Sequence, residues 1–123
     1  MDGILLLDKP QRWTSHDAVD FLRGRLKQKK IGHAGTLDPM ATGLLVMLIG
    51  AATKLSGELT GLDKDYRGSI RLGVTTDTWD VDGKVLKESA PEVSTEALES
   101  AVSSLRGKIH ITPPSFSALK KDG

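Results

Sequence analysis

The tightest constraint on this chain is a nine-residue turn segment welded to an apolar run. Residues 35–43 read Gly-Thr-Leu-Asp-Pro-Met-Ala-Thr-Gly, and Leu44, Leu45, Val46, Met47, Leu48 and Ile49 follow without a break. Six consecutive apolar residues are too few for a buried helix and suit a strand buried on both faces. Two glycines and a proline just before them cannot belong to a regular element, and residues 33–43, from His33 to Gly43, are expected to form one loop of fixed shape. A second apolar run, Ile4, Leu5, Leu6 and Leu7, is bounded by Gly3 and by Asp8, Lys9 and Pro10, and reads as another buried strand ending in a turn. The chain is thus expected to hang a stiff loop from a sheet.

The remaining pattern is mixed. Thr14 or Ser15 can cap a helix whose apolar side carries Ala18, Val19, Leu22 and Leu26, with Phe21 beside them. Residues 51–59 suit a short helix. Residues 66–74 alternate well enough for a strand with Ile70, Leu72 and Val74 on one face. Val85 and Leu86 mark a modest strand, and Ser94 or Thr95 caps a helix presenting Ala97, Leu98, Ala101, Val102 and Leu105. A last strand is expected at 108–112, where Pro113 and Pro114 break it, and Phe116 to Leu119 can begin another. Without a regular alternation of strand and helix, the expected class is α+β, a mixed, mainly antiparallel sheet with flanking helices.

Composition excludes several classes. In 123 residues, 38% are hydrophobic and 27% charged, so an ordinary globular core is expected rather than disorder. No apolar run approaches the roughly 20 residues of a membrane-spanning helix, and Met1, Asp2 and Gly3 lack the basic start of a secretory signal. A cytoplasmic location is the expectation. There is no cysteine, hence no disulfide and no thiolate chemistry. His16, His33 and His110 have no ligand-like partner three or four residues away, so no metal centre is expected. Neither a Walker loop nor a dinucleotide fingerprint is present, so no cofactor is implied.

The net charge of +1 conceals a segregation. Residues 1–73 carry +3, residues 74–104 carry −5 and residues 105–123 carry +3. Arg23, Arg25, Lys27, Lys29 and Lys30 fall within one short stretch. Such a cluster either attracts a phosphate backbone or simply complements the negative end of a helix.

Asp38 is the residue on which chemistry could rest. Asp before Pro is a common turn former, since its carboxylate accepts backbone N–H groups while Pro fixes the next φ. Against this, Gly35 and Gly43 allow close approach of a ligand, Thr36 and Thr42 bring hydroxyls, and the adjoining strand would hold the carboxylate still. The residues alone leave both readings open.

Taken with His33, the segment 35–43 resembles the catalytic motif of the TruB family of pseudouridine synthases. Other stretches similar to that family follow in order: Leu7, Asp8, Lys9 and Pro10 with Thr14 and Ser15; Lys64 and Tyr66; Leu72, Gly73, Thr76, Asp77, Thr78, Asp80, Asp82 and Gly83; then Pro114, Phe116 to Lys120 and Gly123. The similarity covers essentially the whole chain. It implies an isomerase acting on the T-loop uridine of tRNA, position 55, with tRNA as partner. Asp38 falls on the family's catalytic aspartate, Tyr66 on its active-site tyrosine, and His33 on a histidine that contacts RNA around the extruded base. Lys9 and Pro10 fall where residues support the catalytic loop. The basic stretch then reads as RNA-facing.

Two departures matter. Arg12 stands where the family's first motif usually has glycine. Family members also continue past Gly123 with the second half of the catalytic sheet, an arginine that pairs with the aspartate, and commonly a C-terminal RNA-binding domain. Residues 1–123 are therefore expected to be the N-terminal portion of a catalytic domain, the rest lying elsewhere or in a separate chain, and to be inactive alone. The first motif lies almost at Met1, which points to a stand-alone bacterial enzyme rather than a guide-RNA-dependent relative. The competing reading is a non-catalytic module that binds or folds tRNA.

Overall fold

The structure, a computed structural model, describes residues 1–112. It divides into two compact units, residues 1–66 and residues 67 onward. Each has its own small antiparallel sheet beside helices, the α+β arrangement expected of the sequence.

In the first unit, strands β1 (Gly3–Lys9), β2 (Ile31–Ala34) and β3 (Gly43–Ile49) form a sheet in the order β1-β3-β2, with both pairings antiparallel. Helix α1 (Ser15–Leu26) joins β1 to β2. It begins with a reciprocal cap, in which the Thr14 hydroxyl accepts from the Asp17 N–H and the Asp17 carboxylate accepts from the Thr14 N–H at 2.7 Å. Its end is a left-handed Lys27 inside the basic stretch. Ala18, Val19 and Leu22 meet Ile31, Leu45, Met47 and Ile49 in one core, against which Leu7, Trp13, Leu26 and Leu37 also pack. Each large side chain buried there contributes about 2 kcal/mol of transfer free energy.

The run expected to be a buried strand at residues 4–7 is a strand, yet Ile4, Leu5 and Leu6 are exposed. β1 is an edge strand, and Ile4 and Leu6 lie opposite Leu48 and Val46, on the face turned away from α1. Thr53, in the 3₁₀ turn Gly50–Leu55 that leads into α2 (Ser56–Thr60), lies against that face beside Gly32, where Leu48 is fully buried, while Ile4 and Leu6 on the edge strand stay exposed. Residues 51–59 are thus helical as expected, the first half in the tighter form.

In the second unit, β4 (Val74–Thr76) and β5 (Val85–Glu88) make an antiparallel hairpin, and α3 (Thr95–Ser104) follows with the Ser94 hydroxyl accepting from the Ala97 N–H. The strand expected over 66–74 is confined to Val74 and the two residues after it. Residues 66–71 have no ladder partner among the described residues, and Ile70 is exposed, so alternation alone does not make a strand there. Residues 108–112 likewise form no strand, and Phe116 to Leu119 lie outside the described residues. Among the described residues no helix is long and apolar enough to cross a membrane.

Candidate active site

The loop of residues 35–42 is the connection between β2 and β3, so both its ends are fixed by one ladder. Gly35 and Gly43 sit at φ +91° and +115°, in the region that favours glycine. A Cβ would meet no closer atom than the Lys64 side chain at 3.7 Å at Gly35, and nothing within 4 Å at Gly43. Backbone conformation, not space, calls for glycine at both positions. Between them, Asp38 opens a tight turn closed by the Ala41 N–H donating to the Asp38 carbonyl at 3.0 Å, with Pro39 at the second position, where its fixed φ is already correct.

Both neighbours of Asp38 are gripped by the stretch that leads from β1 into the first residue of α1. The Ser15 hydroxyl accepts from the Leu37 N–H at 2.9 Å and donates to the Leu37 carbonyl at 3.2 Å. The Arg12 N–H donates to the Pro39 carbonyl at 2.7 Å. Leu37 also lays its side chain against the core. The gripping segment is itself tied down by Lys9, whose fully buried ammonium donates to the carbonyls of Pro10 (3.1 Å) and Trp13 (2.6 Å). Lys9 faces Gly43 across the β1–β3 ladder, so it stands at the foot of the loop. Asp38 itself is exposed, and the ion pairs among the described residues involve Asp20 rather than Asp38. The result is a held backbone with an open carboxylate, the arrangement a nucleophile or a base requires.

His33 is not in the loop, as its sequence context suggested. It is the third residue of β2, opposite Met47, because the antiparallel pairing of β2 with β3 extends to Ala34. Its ring is half-buried and Nδ1 donates to the Gly35 carbonyl, which fixes the tautomer that leaves Nε2 free of the proton in the neutral ring. Its carbonyl accepts from the Ser56 hydroxyl at 3.3 Å. Tyr66 is the last residue of the first unit and is 73% exposed. No hydrogen bond or ring stacking among the described residues engages it, and no hydrogen bond or ion pair there joins Asp38, His33 and Tyr66 to one another. Lys64, two residues before Tyr66, donates to the carbonyls of Thr60 (2.6 Å) and Leu62 (2.8 Å), and its side chain lies near Gly35, linking the stretch before Tyr66 to the loop of residues 35–42.

The basic stretch is partly spent locally. Arg23 bonds Asp20 and the Lys29 carbonyl, both at 3.0 Å, and Arg25 lies 5.4 Å over the Phe21 ring. Lys27, Lys29 and Lys30 are exposed. Among the described residues no group of three or more His, Asp or Glu side chains converges as a metal site would. Two residues were under-read from sequence. Ser15 was visible as an alternative helix cap and as part of the first family-like stretch, with no role of its own, and Arg12 only as a departure from that motif; the Thr14-Ser15 pair was the signal, since one hydroxyl suffices for a cap.

An antiparallel hairpin that holds out a carboxylate from a glycine-bounded turn defines a class of candidate enzyme, and comparison with known proteins names the family. Residues 23–123 match the family model for TruB family pseudouridylate synthase (N terminal domain). The tRNA pseudouridine synthase B of Opitutus terrae is 53% identical over 124 residues, covering 100% of this chain and 52% of that protein. The proteins of the same name from Azoarcus sp. and Aquifex aeolicus are 51% and 46% identical over 123 residues, covering all of this chain and 41% and 43% of theirs. The chain belongs to the TruB pseudouridylate synthase family, and it spans about half the length, or less, of these relatives.

Proposed function

We propose that this chain is the N-terminal part of the catalytic domain of a tRNA pseudouridine synthase that isomerises the T-loop uridine, with Asp38 as the catalytic carboxylate. The observation that carries the reading is the exposed Asp38 side chain on a turn whose two flanking residues are held by Ser15 and Arg12. In the reaction the C1′–N1 bond breaks, the uracil turns, and a C1′–C5 bond forms. C5 loses its proton and N1 gains one, so no cofactor is consumed. Asp38 either attacks C1′ as the uracil departs or assists departure through a glycal; a carboxylate held still serves both routes.

Reaching the base requires extruding it from the folded T-loop. The exposed Tyr66 ring suits stacking on the extruded uracil, worth about 1–3 kcal/mol, and its hydroxyl is the group for removing the C5 proton. His33, at the base of the loop, is the proposed RNA contact beside the flipped nucleotide, and Lys27, Lys29 and Lys30 supply phosphate contacts that position without specifying. The remainder of the catalytic domain, in the same polypeptide or a separate chain, supplies the cation opposite Asp38. A tRNA substrate puts the work in the cytoplasm.

The test uses the complete protein and its D38N variant on unmodified tRNA. The enzyme reading expects pseudouridine formation to vanish in D38N while tRNA affinity stays within about threefold, since one amide replaces one carboxylate at a solvent-exposed tip. Unchanged modification in D38N would instead favour a tRNA-binding or tRNA-folding module.

A further inference from the structure

We infer that Ser15 is a positioning residue for the reaction, a buried hydroxyl that sets where the Asp38 carboxylate stands; this rests on the functional reading above. Ser15 is the first residue of α1 and is only 3% exposed. A serine there would ordinarily be credited to helix capping, but Thr14 already performs both halves of the cap with Asp17. The Ser15 hydroxyl is therefore free for another task, and it spends both its functions on one residue. It donates its proton to the Leu37 carbonyl and takes the Leu37 N–H on a lone pair.

One side chain thus satisfies both backbone polar groups of the residue immediately before Asp38, as a strand partner would. The mount is rigid, because α1 packs Ala18, Val19 and Leu22 into the core a turn further on. Arg12 holds Pro39 on the other side, and the turn hydrogen bond from Ala41 closes on the Asp38 carbonyl. The Asp38 side chain is left as the mobile part of a fixed peptide. Replacing Ser15 by Ala removes both bonds at once while leaving Thr14 to cap the helix. Leu37 then has neither partner, and the carboxylate loses its reference frame without losing its charge.

The experiment compares S15A, T14A and D38N in the complete protein. S15A is expected to lower kcat by about 10- to 100-fold, the loss typical of misplacing a catalytic group by an ångström or less, with KM for tRNA within about twofold of wild type. In hydrogen exchange the Leu37 amide should open faster in S15A and not in T14A. T14A loses helix stability instead and keeps kcat. If S15A keeps kcat within about twofold of wild type, if its kcat falls no further than that of T14A, or if Leu37 protection is unchanged, the inference is overturned. Turnover surviving in D38N would overturn the catalytic reading instead, and the Leu37 exchange result would stand apart from it.

Discussion

Arg12 donates its backbone N–H to the Pro39 carbonyl at 2.7 Å while its own φ is +71°, so the residue beside the turn of Asp38 is held in a conformation that arginine seldom adopts. The sequence resemblance sets an expectation of glycine at this position. A left-handed backbone making the bond to Pro39 is the conformation that glycine adopts without strain. A left-handed non-glycine residue costs roughly 1–2 kcal/mol, and the added freedom of glycine in the unfolded chain offsets part of the relief. R12G is therefore expected to raise stability by up to about 1 kcal/mol, and R12V, branched at Cβ, to lower it by about as much or more. Urea unfolding midpoints of the two variants check this, and a lower midpoint for R12G would oppose it.

Lys9 should behave as a structural cation. Its buried ammonium serves the carbonyls of Pro10 and Trp13, the two ends of the turn that carries Arg12. K9M keeps most of the bulk and leaves both carbonyls without their donor, at a cost of about 2–3 kcal/mol. Its expected signature is a lower melting temperature together with reduced turnover. Full stability with lost turnover would mean that Lys9 reacts rather than supports.

A pH dependence follows from the cap of α1. The Thr14 hydroxyl, and then the Thr14 N–H, bond the Asp17 carboxylate and hold its pKa below the usual carboxylate value. A group lowered on folding adds stability that is present above its unfolded pKa and lost as pH falls through the folded one. D17N should accordingly flatten the acid side of the stability curve, below the ordinary carboxylate range, and leave the slope near neutrality alone. Thermal melts across that range read the difference; an unchanged acid slope would remove Asp17 from the account.

Much of this was legible in the sequence. Leu44 to Ile49 announced β3, the glycines at 35 and 43 announced a shaped loop, and Thr14 announced the start of α1, because each is a local demand of backbone chemistry. What the sequence concealed was non-local. Ile4 and Leu6 look like core residues but stand exposed on the edge strand, on a face where, of the central strand, only the neighbouring Leu48 is buried, and Ile70 alternates correctly with no ladder to join among the described residues. His33 looks like a loop residue because its neighbours are glycines, whereas pairing with Met47 makes it a strand residue. Ser15 reads as a cap until Leu37, far along the chain, is seen beside it. A role set by a partner more than twenty residues away has no local signature.

Residues 1–123 by themselves are expected to give no pseudouridine. The chain spans 52% or less of the relatives compared, and the ion pairs among its described residues leave Asp38 out. Among the described residues no ion pair sets a cation opposite Asp38, and a carboxylate without one lacks the electrostatic support that an oxocarbenium-like departure needs. Incubating the 123-residue polypeptide with unmodified tRNA and hydrolysing the product to nucleosides checks this; measurable turnover would show that residues 1–123 suffice.

The central claim is that the loop sets the place of one carboxylate, and D38E tests it most directly, because glutamate keeps the charge and shifts it by a single methylene. The measurement is the single-turnover rate of pseudouridine formation by the complete protein under saturating enzyme. The expected result is a loss of about 100-fold or more with tRNA affinity retained. A D38E rate within about threefold of wild type would contradict the account, since a carboxylate that works equally well from two positions is not being positioned by Ser15, Arg12 and the turn between them.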